Sequence, residues 1–340
     1  MSMRVAVYGL GPIGQLIARE VLKKKELNLV AAFDADQKKI GKDLAELLGL
    51  DKNTGVYVSA PSELELMLRN TGAKVVLHST STYLDRVYPQ IVKCIKAGVN
   101  VISTSETLSN PYYRYPELAE LIHEMAKKYC VTVIGTGVNP GFIFDTLPAL
   151  LTAVCTEVRS IHVTRSLDAA KRRESFQIKY GLGLDVEEFK AKMRRGEITA
   201  HVGYGESISL LAETLGVELD KIVEGQEPLV AKNSAKTKYV TVNVGTVSGI
   251  HGYGIGFFGG EEFIKLDFFA EVGREEFEEV VVEGDPPLRW KSSGTAGDIA
   301  TAGMIINMIP KLSKVGPGLL RMCDIPLPSA FLSLKADQSR

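Results

Sequence analysis

The chain has 340 residues, 45% hydrophobic and 24% charged, the balance of an ordinary globular protein of about two domains. A net charge of −1 excludes the basic footprint of a nucleic-acid-binding protein. No apolar run reaches the roughly 18–20 residues of a membrane span, so neither nucleic acid nor membrane is an expected partner.

The first residues, MSMRVAVYGLG, lead almost directly into an apolar segment with no separate leader. Cys94, Cys130, Cys155 and Cys323 form no Cys-x-x-Cys pair and no cluster with histidine. Reduced thiols, a cytoplasmic location and no metal are therefore expected.

Over the first 140 residues two periods alternate. Residues 4–8 (RVAVY) form an apolar strand, and 13–24 carry helical spacing through Ile13, Leu16, Ile17, Val21 and Leu22. Strands follow at 27–33, 56–58, 75–78, 99–103 and 131–135, with helices at 38–48, 62–69, 87–97 and 117–129. Strands alternating with helices imply a parallel sheet covered on both faces. After 141 the pattern changes. Residues 142–154 read as a helix, 158–164 as an alternating strand, and 186–194 and 206–215 as helices. Strand-like runs cover 222–230, 238–247, 263–272 and 277–282, and GIHGYGIGFFGG at 249–260 reads as a loop or hairpin turn. Residues 295–310 form a helix with many small side chains, suited to close approach to other backbones. The expected fold class is α/β. A Rossmann, doubly wound parallel sheet spans 1–140, with 295–340 returning to pack on it. An α+β substrate-binding and dimerisation domain with a mixed or antiparallel sheet spans 141–294.

Gly9-Leu10-Gly11-Pro12-Ile13-Gly14 is a G-x-G-x-x-G between a strand and a helix. Gly9 permits the tight turn, Gly11 lets backbone approach a pyrophosphate, and Gly14 lets the helix sit close to the sheet. Pro12 suits the first helical turn, and with Ile13 opens a helix whose N-terminus attracts phosphate. Asp34 ends the second strand, 20 positions after Gly14, where a carboxylate accepts hydrogen bonds from ribose hydroxyls and repels a 2′-phosphate. That favours NAD, although Lys38 and Lys39 offset the repulsion and leave NADP open.

Ligands of such a sheet sit beyond the carboxyl ends of its strands. Three further ends are informative: His78-Ser79-Thr80-Ser81-Thr82, Ser103-Thr104-Ser105-Glu106, and Gly135-Thr136-Gly137-Val138-Asn139-Pro140-Gly141-Phe142. Ser79, Thr80 and Ser81 are candidate cofactor contacts. Asn139 either holds the carboxamide or only organises the Asn-Pro-Gly turn. His78 reads as a hydrogen-bonded structural histidine. Glu106 is the one acid in these segments and the candidate acid–base residue. A capping role is less natural for it, because Asn110-Pro111 argues against immediate helix entry.

These motifs resemble the 2,4-diaminopentanoate dehydrogenase family and the related native amine dehydrogenases, within the wider dihydrodipicolinate reductase-like group. The resemblance spans nearly the whole chain through GLGPIG, VISTSE, GTGVNPGF, HVGYGES at 201–207, GTVSGI at 245–250 and the tail AGDIATAGMIINMIP…GPGLLRMCDIPLP. The tail is its most specific part and the glycine fingerprint its least. It implies an NAD(P)-linked oxidoreductase acting on C–N bonds, usually a homodimer, with Glu106 catalytic. Dihydrodipicolinate reductase itself matches less well: its paired-histidine and lysine signature is missing, and His78, His123, His162, His201 and His251 stand apart in sequence.

The chemistry so implied is oxidation of an amine or diamino acid to an iminium, then hydrolysis to a ketone and ammonia, with reductive amination as the reverse. Glu106 would stabilise positive charge on nitrogen and deprotonate the amine or the attacking water. Phe142 and Phe144 are candidate pocket walls or core residues, and Tyr180 and His201 are weaker pocket candidates. Arg172, Arg173 and Lys179 either hold a substrate carboxylate or form a solvated charged run. Two alternatives are a C=N reductase of the dihydrodipicolinate reductase type and a non-catalytic cofactor-binding sensor.

Overall fold

The computed structural model describes residues 2–332. The chain divides into two compact units, Met1–Gly141 with Ala296–Arg340, and Phe142–Thr295.

The first unit holds a seven-stranded sheet with the spatial order Gly318–Leu320, Thr132–Gly135, Asn100–Ser103, Val75–His78, Met3–Tyr8, Leu27–Phe33, Val58–Ser59. Every pairing in it is parallel. This is the doubly wound sheet that the alternating periods predict. Its central strands are apolar without alternation because both faces are covered: Val5, Ala6, Val7, Val75, Val76, Leu77, Val101 and Ile102 are fully buried. Strand order reverses beside Met3–Tyr8, which makes its carboxyl end and that of Val75–His78 a ligand-binding switch point. The helix Pro12–Leu22 buries Gly14, Ile17, Ala18 and Val21, and Gly297–Met308 packs against it.

Some expectations for this unit need correction. The helix expected at 38–48 forms only over Leu44–Leu48, because Asp43 caps it: its carboxylate accepts the Ala45 N–H at 2.8 Å and the Gly55 N–H at 2.8 Å. Strand Gly318–Leu320 and helix Pro111–Arg114 are too short to show a period.

The second unit is a six-stranded mixed sheet in the order Leu288–Ser292, Phe277–Asp285, Glu157–Asp168, Glu261–Glu271, Val247–Phe258, Lys221–Val230. Only the pairing of Glu157–Asp168 with Glu261–Glu271 is parallel. Of the glycine-rich 249–260 segment, Gly259 and Gly260 are the turn of a hairpin between two long antiparallel strands, as expected, but the rest is not loop and belongs to the 12-residue strand Val247–Phe258. Its glycines repeat with the period of a strand. Gly252, Gly254 and Gly256 face the helix Tyr204–Thr214, where any Cβ would run into Tyr204 or Ile208. Alanine in a strand ordinarily gains about 0.5–1 kcal/mol over glycine, but overpacking costs about 1–3 kcal/mol. Gly252→Ala should therefore be a net loss in urea unfolding, since its Cβ would lie 2.7 Å from Tyr204 Cζ. A variant as stable as wild type would show that the helix can retreat.

The strand expected at 238–247 shrinks to Thr241–Val242 paired with Ala235–Lys236. The Thr237 hydroxyl accepts the N–H groups of Tyr239 and Val240 and turns the chain there. The helix expected over 142–154 begins only at Thr146, capped by Asp145 at 2.6 Å. Leu288–Ser292 adds an edge strand that the sequence reading did not anticipate.

Candidate active site

The glycine turn has the geometry its sequence requires. Gly9 has φ +92°, and a Cβ there would meet the Ser79 backbone; one on Gly14 would strike the Gly9 carbonyl. A Cβ on Gly11 meets nothing within 4 Å. Gly11 is also the N-cap of Pro12–Leu22, with no side-chain cap, and Pro12 occupies the first helical turn. Pro12 is exposed and Ile13 half-buried. The open backbone beside a helix N-terminus fits a dinucleotide pyrophosphate.

Asp34 is 9% exposed. It accepts the Leu10 N–H on one carboxylate oxygen at 2.7 Å and the Asp36 N–H on the other at 2.8 Å. Lys39 Nζ lies 3.1 Å from the first oxygen and donates to the Leu10 carbonyl at 3.2 Å. Burial pushes the Asp34 pKa upward, but the Asp36 and Leu10 N–H groups and the Lys39 ammonium outweigh it and hold the pKa below the usual range. Of the two lysines nearby, Lys39 makes this ion pair, while Lys38 gives Asp36 only its backbone N–H.

The hydroxyl residues at the strand ends largely stitch loops together. Ser79 Oγ donates to the Gly9 carbonyl at 3.1 Å. Thr80 Oγ1 lies 2.9 Å from His78 Nε2 and donates to Gln90 Oε1 at 2.7 Å, while Ser81 is exposed. Ser105 Oγ donates to the Thr82 carbonyl at 2.8 Å, and Thr107 Oγ1 accepts the Leu84 N–H at 2.8 Å. Asn139 lies in a turn with a cis bond to Pro140. Gly141 has φ +117°, and a Cβ there would crowd the Gly137 backbone.

Glu106 is half-buried. It begins a single 3₁₀ turn, Glu106–Leu108, whose N-cap position is taken by Ser105. Ser109 donates its N–H and its hydroxyl to the Glu106 carbonyl at 3.2 and 2.8 Å. The turn lies so close to the end of Thr132–Gly135 that a Cβ on Gly135 would overlap the Leu108 and Ser109 backbone. Asn110-Pro111 does not delay helix entry as expected: Pro111 is itself the first residue of a helix, a position that tolerates its missing N–H.

In the second unit, Tyr180 and His201 join one buried aromatic cluster. Tyr180 stacks on Phe176 with centroids 3.9 Å apart, and His201 stacks on Phe268 at 4.8 Å. Tyr204 meets His201 edge-on at 4.7 Å, and Phe144 lies 6.2 Å from it. Burial, with Lys179 and Arg165 nearby, drives the His201 pKa well below its ordinary value, so its imidazole is neutral. Phe142 is half-buried at the start of the unit and is not among these ring pairs. Arg172 pairs with Glu276 at 2.8 Å. Sequence reading missed Arg165, buried beside Glu278 at 3.4 Å. Its signal was a charge on the inward positions of an alternating strand. It also missed that strand pairing brings His162 and His251 together, each 2.7 Å from Asp267.

The sequence pattern described as the 2,4-diaminopentanoate dehydrogenase C-terminal domain matches residues 142–340, and that of the dihydrodipicolinate reductase N-terminus matches 3–136. The chain is 31% identical to a 2,4-diaminopentanoate dehydrogenase of Acetoanaerobium sticklandii, over 97% of its own length and 95% of the relative's. It is 27% identical to an amine dehydrogenase of Streptomyces virginiae, over 98% and 99%. Its fold is similar to that of an amine dehydrogenase from Mycobacterium smegmatis, with a TM-score of 0.86 and 22% identity over 97% of this chain and 98% of the other. Among the described residues no group of His, Cys, Asp and Glu is arranged to hold a metal ion, and no helix is long and apolar enough to cross a membrane.

Proposed function

The chain belongs to the 2,4-diaminopentanoate dehydrogenase family and is an NAD(P)-dependent oxidoreductase acting on C–N bonds; from that premise we propose that Glu106 is its catalytic carboxylate. The observation that supports this reading is placement. Glu106 is the single acid in the segments 78–82, 103–106 and 135–142, which follow three strands on the side of the sheet where Gly9–Gly14 also lies.

A bound NAD(P) would supply the hydride acceptor for the carbon bearing nitrogen, and the hydride donor in the reverse direction. The protein's part is electrostatic and protolytic. As the C–H bond breaks, positive charge appears on nitrogen, and ionised Glu106 stabilises it. Glu106 then takes a proton from the water that adds to the iminium carbon and returns it to the carbinolamine nitrogen, so that ammonia leaves as the hydroxyl gives its proton back to Glu106 and the ketone forms. Gly11 and the N-terminus of Pro12–Leu22 would hold the NAD(P) pyrophosphate. The test is an amine panel with NAD and NADP, run in reverse with ketone and ammonia. Absence of turnover on every amine, with turnover of a cyclic imine, would return the chain to C=N reduction.

For the cofactor we assign Asp34 to the adenosine ribose and Lys39 to a 2′-phosphate when one is present, so that both cofactors are used and NAD is preferred. The Lys39 ammonium already neutralises part of the Asp34 charge. Lys39→Ala should weaken NADP about tenfold and NAD much less, the scale of one charge-assisted hydrogen bond. Equal losses in KM for both cofactors would remove the assignment. Asp34→Ala is the poorer probe, because it also frees the Leu10 N–H of the glycine turn.

A homodimer is proposed across the half-exposed face of the six-stranded sheet, where His162, Thr164, Tyr253, Ile255, Phe269 and Val281 lie. Sedimentation showing a monomer at micromolar concentration would dismiss it. A cytoplasmic location, where thiols stay reduced, suits four cysteines without paired spacing, and cell fractionation checks it.

A further inference from the structure

His78 is a fully buried imidazole that no step above uses. It ends the strand beside the one that leads to Glu106. Its nitrogens have distinct partners. Nε2 lies 2.7 Å from Gln90 Oε1, and Nδ1 lies 2.8 Å from Ser103 Oγ. An amide oxygen only accepts, so Nε2 carries the proton and Nδ1 is left as an acceptor. Thr80, 2.9 Å from Nε2, turns its own proton to Gln90 Oε1, in keeping with that tautomer.

The Ser103 hydroxyl must therefore donate to Nδ1. Its lone pairs then face the Ser105 N–H, which donates to it at 3.1 Å. The series has one direction: Ser105 N–H to Ser103, Ser103 O–H to His78, His78 Nε2–H to Gln90. Ser105 directly precedes Glu106, and its own hydroxyl is tied to the Thr82 carbonyl. Tyr8 closes the other side of the imidazole, edge-on at 5.4 Å.

We infer that His78 is a positioning residue for Glu106, acting through Ser103 to set the Ser105 backbone and with it the direction of the carboxylate. This rests on the reading of Glu106 as the catalytic group. Hydrogen-bond partners that orient metal ligands change affinity or activity about 10–100-fold, and a partner that orients a carboxylate is expected to act on the same scale. Burial lowers the His78 pKa to about 4, so Nδ1 stays an acceptor near neutral pH.

The test uses Ser103→Ala, His78→Gln, His78→Asn and the double variant Ser103→Ala/His78→Gln. Asparagine places an amide atom where Nδ1 stood, whereas glutamine reaches the Nε2 position. In Ser103→Ala and in His78→Gln, kcat for amine oxidation should fall about tenfold, the lower end of that range. The double variant should be no worse than either single one, and KM for NAD(P) should hold. His78→Asn should recover most of the rate. A volume-filling histidine gives the opposite result, with glutamine better than asparagine and additive losses, and either outcome overturns the inference. Amide exchange across residues 101–110 provides a readout independent of Glu106. It should quicken in Ser103→Ala and His78→Gln but not in His78→Asn. Unchanged exchange in the first two sinks the positioning role. The expected exchange pattern beside a fully active Glu106→Gln keeps the loop anchor and discards the catalytic reading.

Discussion

Glu106→Gln should lower kcat for amine oxidation by about 10²–10⁴-fold, the span of a lost general base and charge stabiliser, with NAD(P) affinity nearly unchanged. Glutamine keeps the size and removes the charge. Ser109 still donates to the Glu106 carbonyl and Ser105 to the Thr82 carbonyl in this variant, so the turn keeps these two contacts. Cofactor contacts assigned to Gly9–Gly14 and Asp34 are also untouched. The measurement is the absorbance of reduced nicotinamide under saturating amine, with thermal unfolding alongside. A variant that keeps more than about half of the wild-type rate at the same melting temperature takes Glu106 out of the chemistry.

The protein should lose about 3 kcal/mol of stability between pH 6.5 and pH 4 through His78 alone. Its pKa falls from 6.5 to about 4 in the folded protein, chiefly by burial, with the Gln90 hydrogen bond opposing. Above 6.5 the imidazole is neutral in both states, and the contribution is fully present. Between the two values the unfolded chain binds the proton and the folded one does not, so stability falls with pH by about 1.4 kcal/mol per unit. Below about 4 both states are protonated and the loss is complete. His201, also held neutral by burial, acts in the same sense. The diagnostic is therefore a difference. Urea unfolding of wild type and His78→Gln across this window should give a steeper slope for wild type, and parallel slopes would show that His78 titrates alike in both states.

Much of the first unit was legible because its signals are local. A glycine at φ +92°, a proline at the first helical turn and unbroken apolar strands each follow from a few adjacent residues. The same locality misled at 249–260. Glycine is a turn signal that holds at Gly259 and Gly260, whereas in Gly252, Gly254 and Gly256 it marks the face on which Tyr204 and Ile208 of a helix lie close. Proline misled at 111, where it opens a helix instead of forbidding one.

The strand-end hydroxyls show a different limit. Composition placed Ser79, Thr80 and Ser105 near the site, but their partners, Gly9, Gln90 and Thr82, come from other segments and turn them into supports. Asp34 likewise belongs to the fingerprint by spacing, while its pairing with Lys39 and not Lys38 depends on how the 34–41 turn folds back.

The sequence by itself determined the doubly wound sheet, the glycine turn that opens its first helix and the place of Glu106 just past a strand end, because helix period, strand period and turn chemistry are written over short stretches. Only the tertiary structure decided the rest: that His78 meets Ser103 across 25 residues, that His162 and His251 converge on Asp267, and that Arg165 is buried against Glu278. Such pairs depend on strand register, and register is fixed by the packing of whole faces, which no short window of sequence contains.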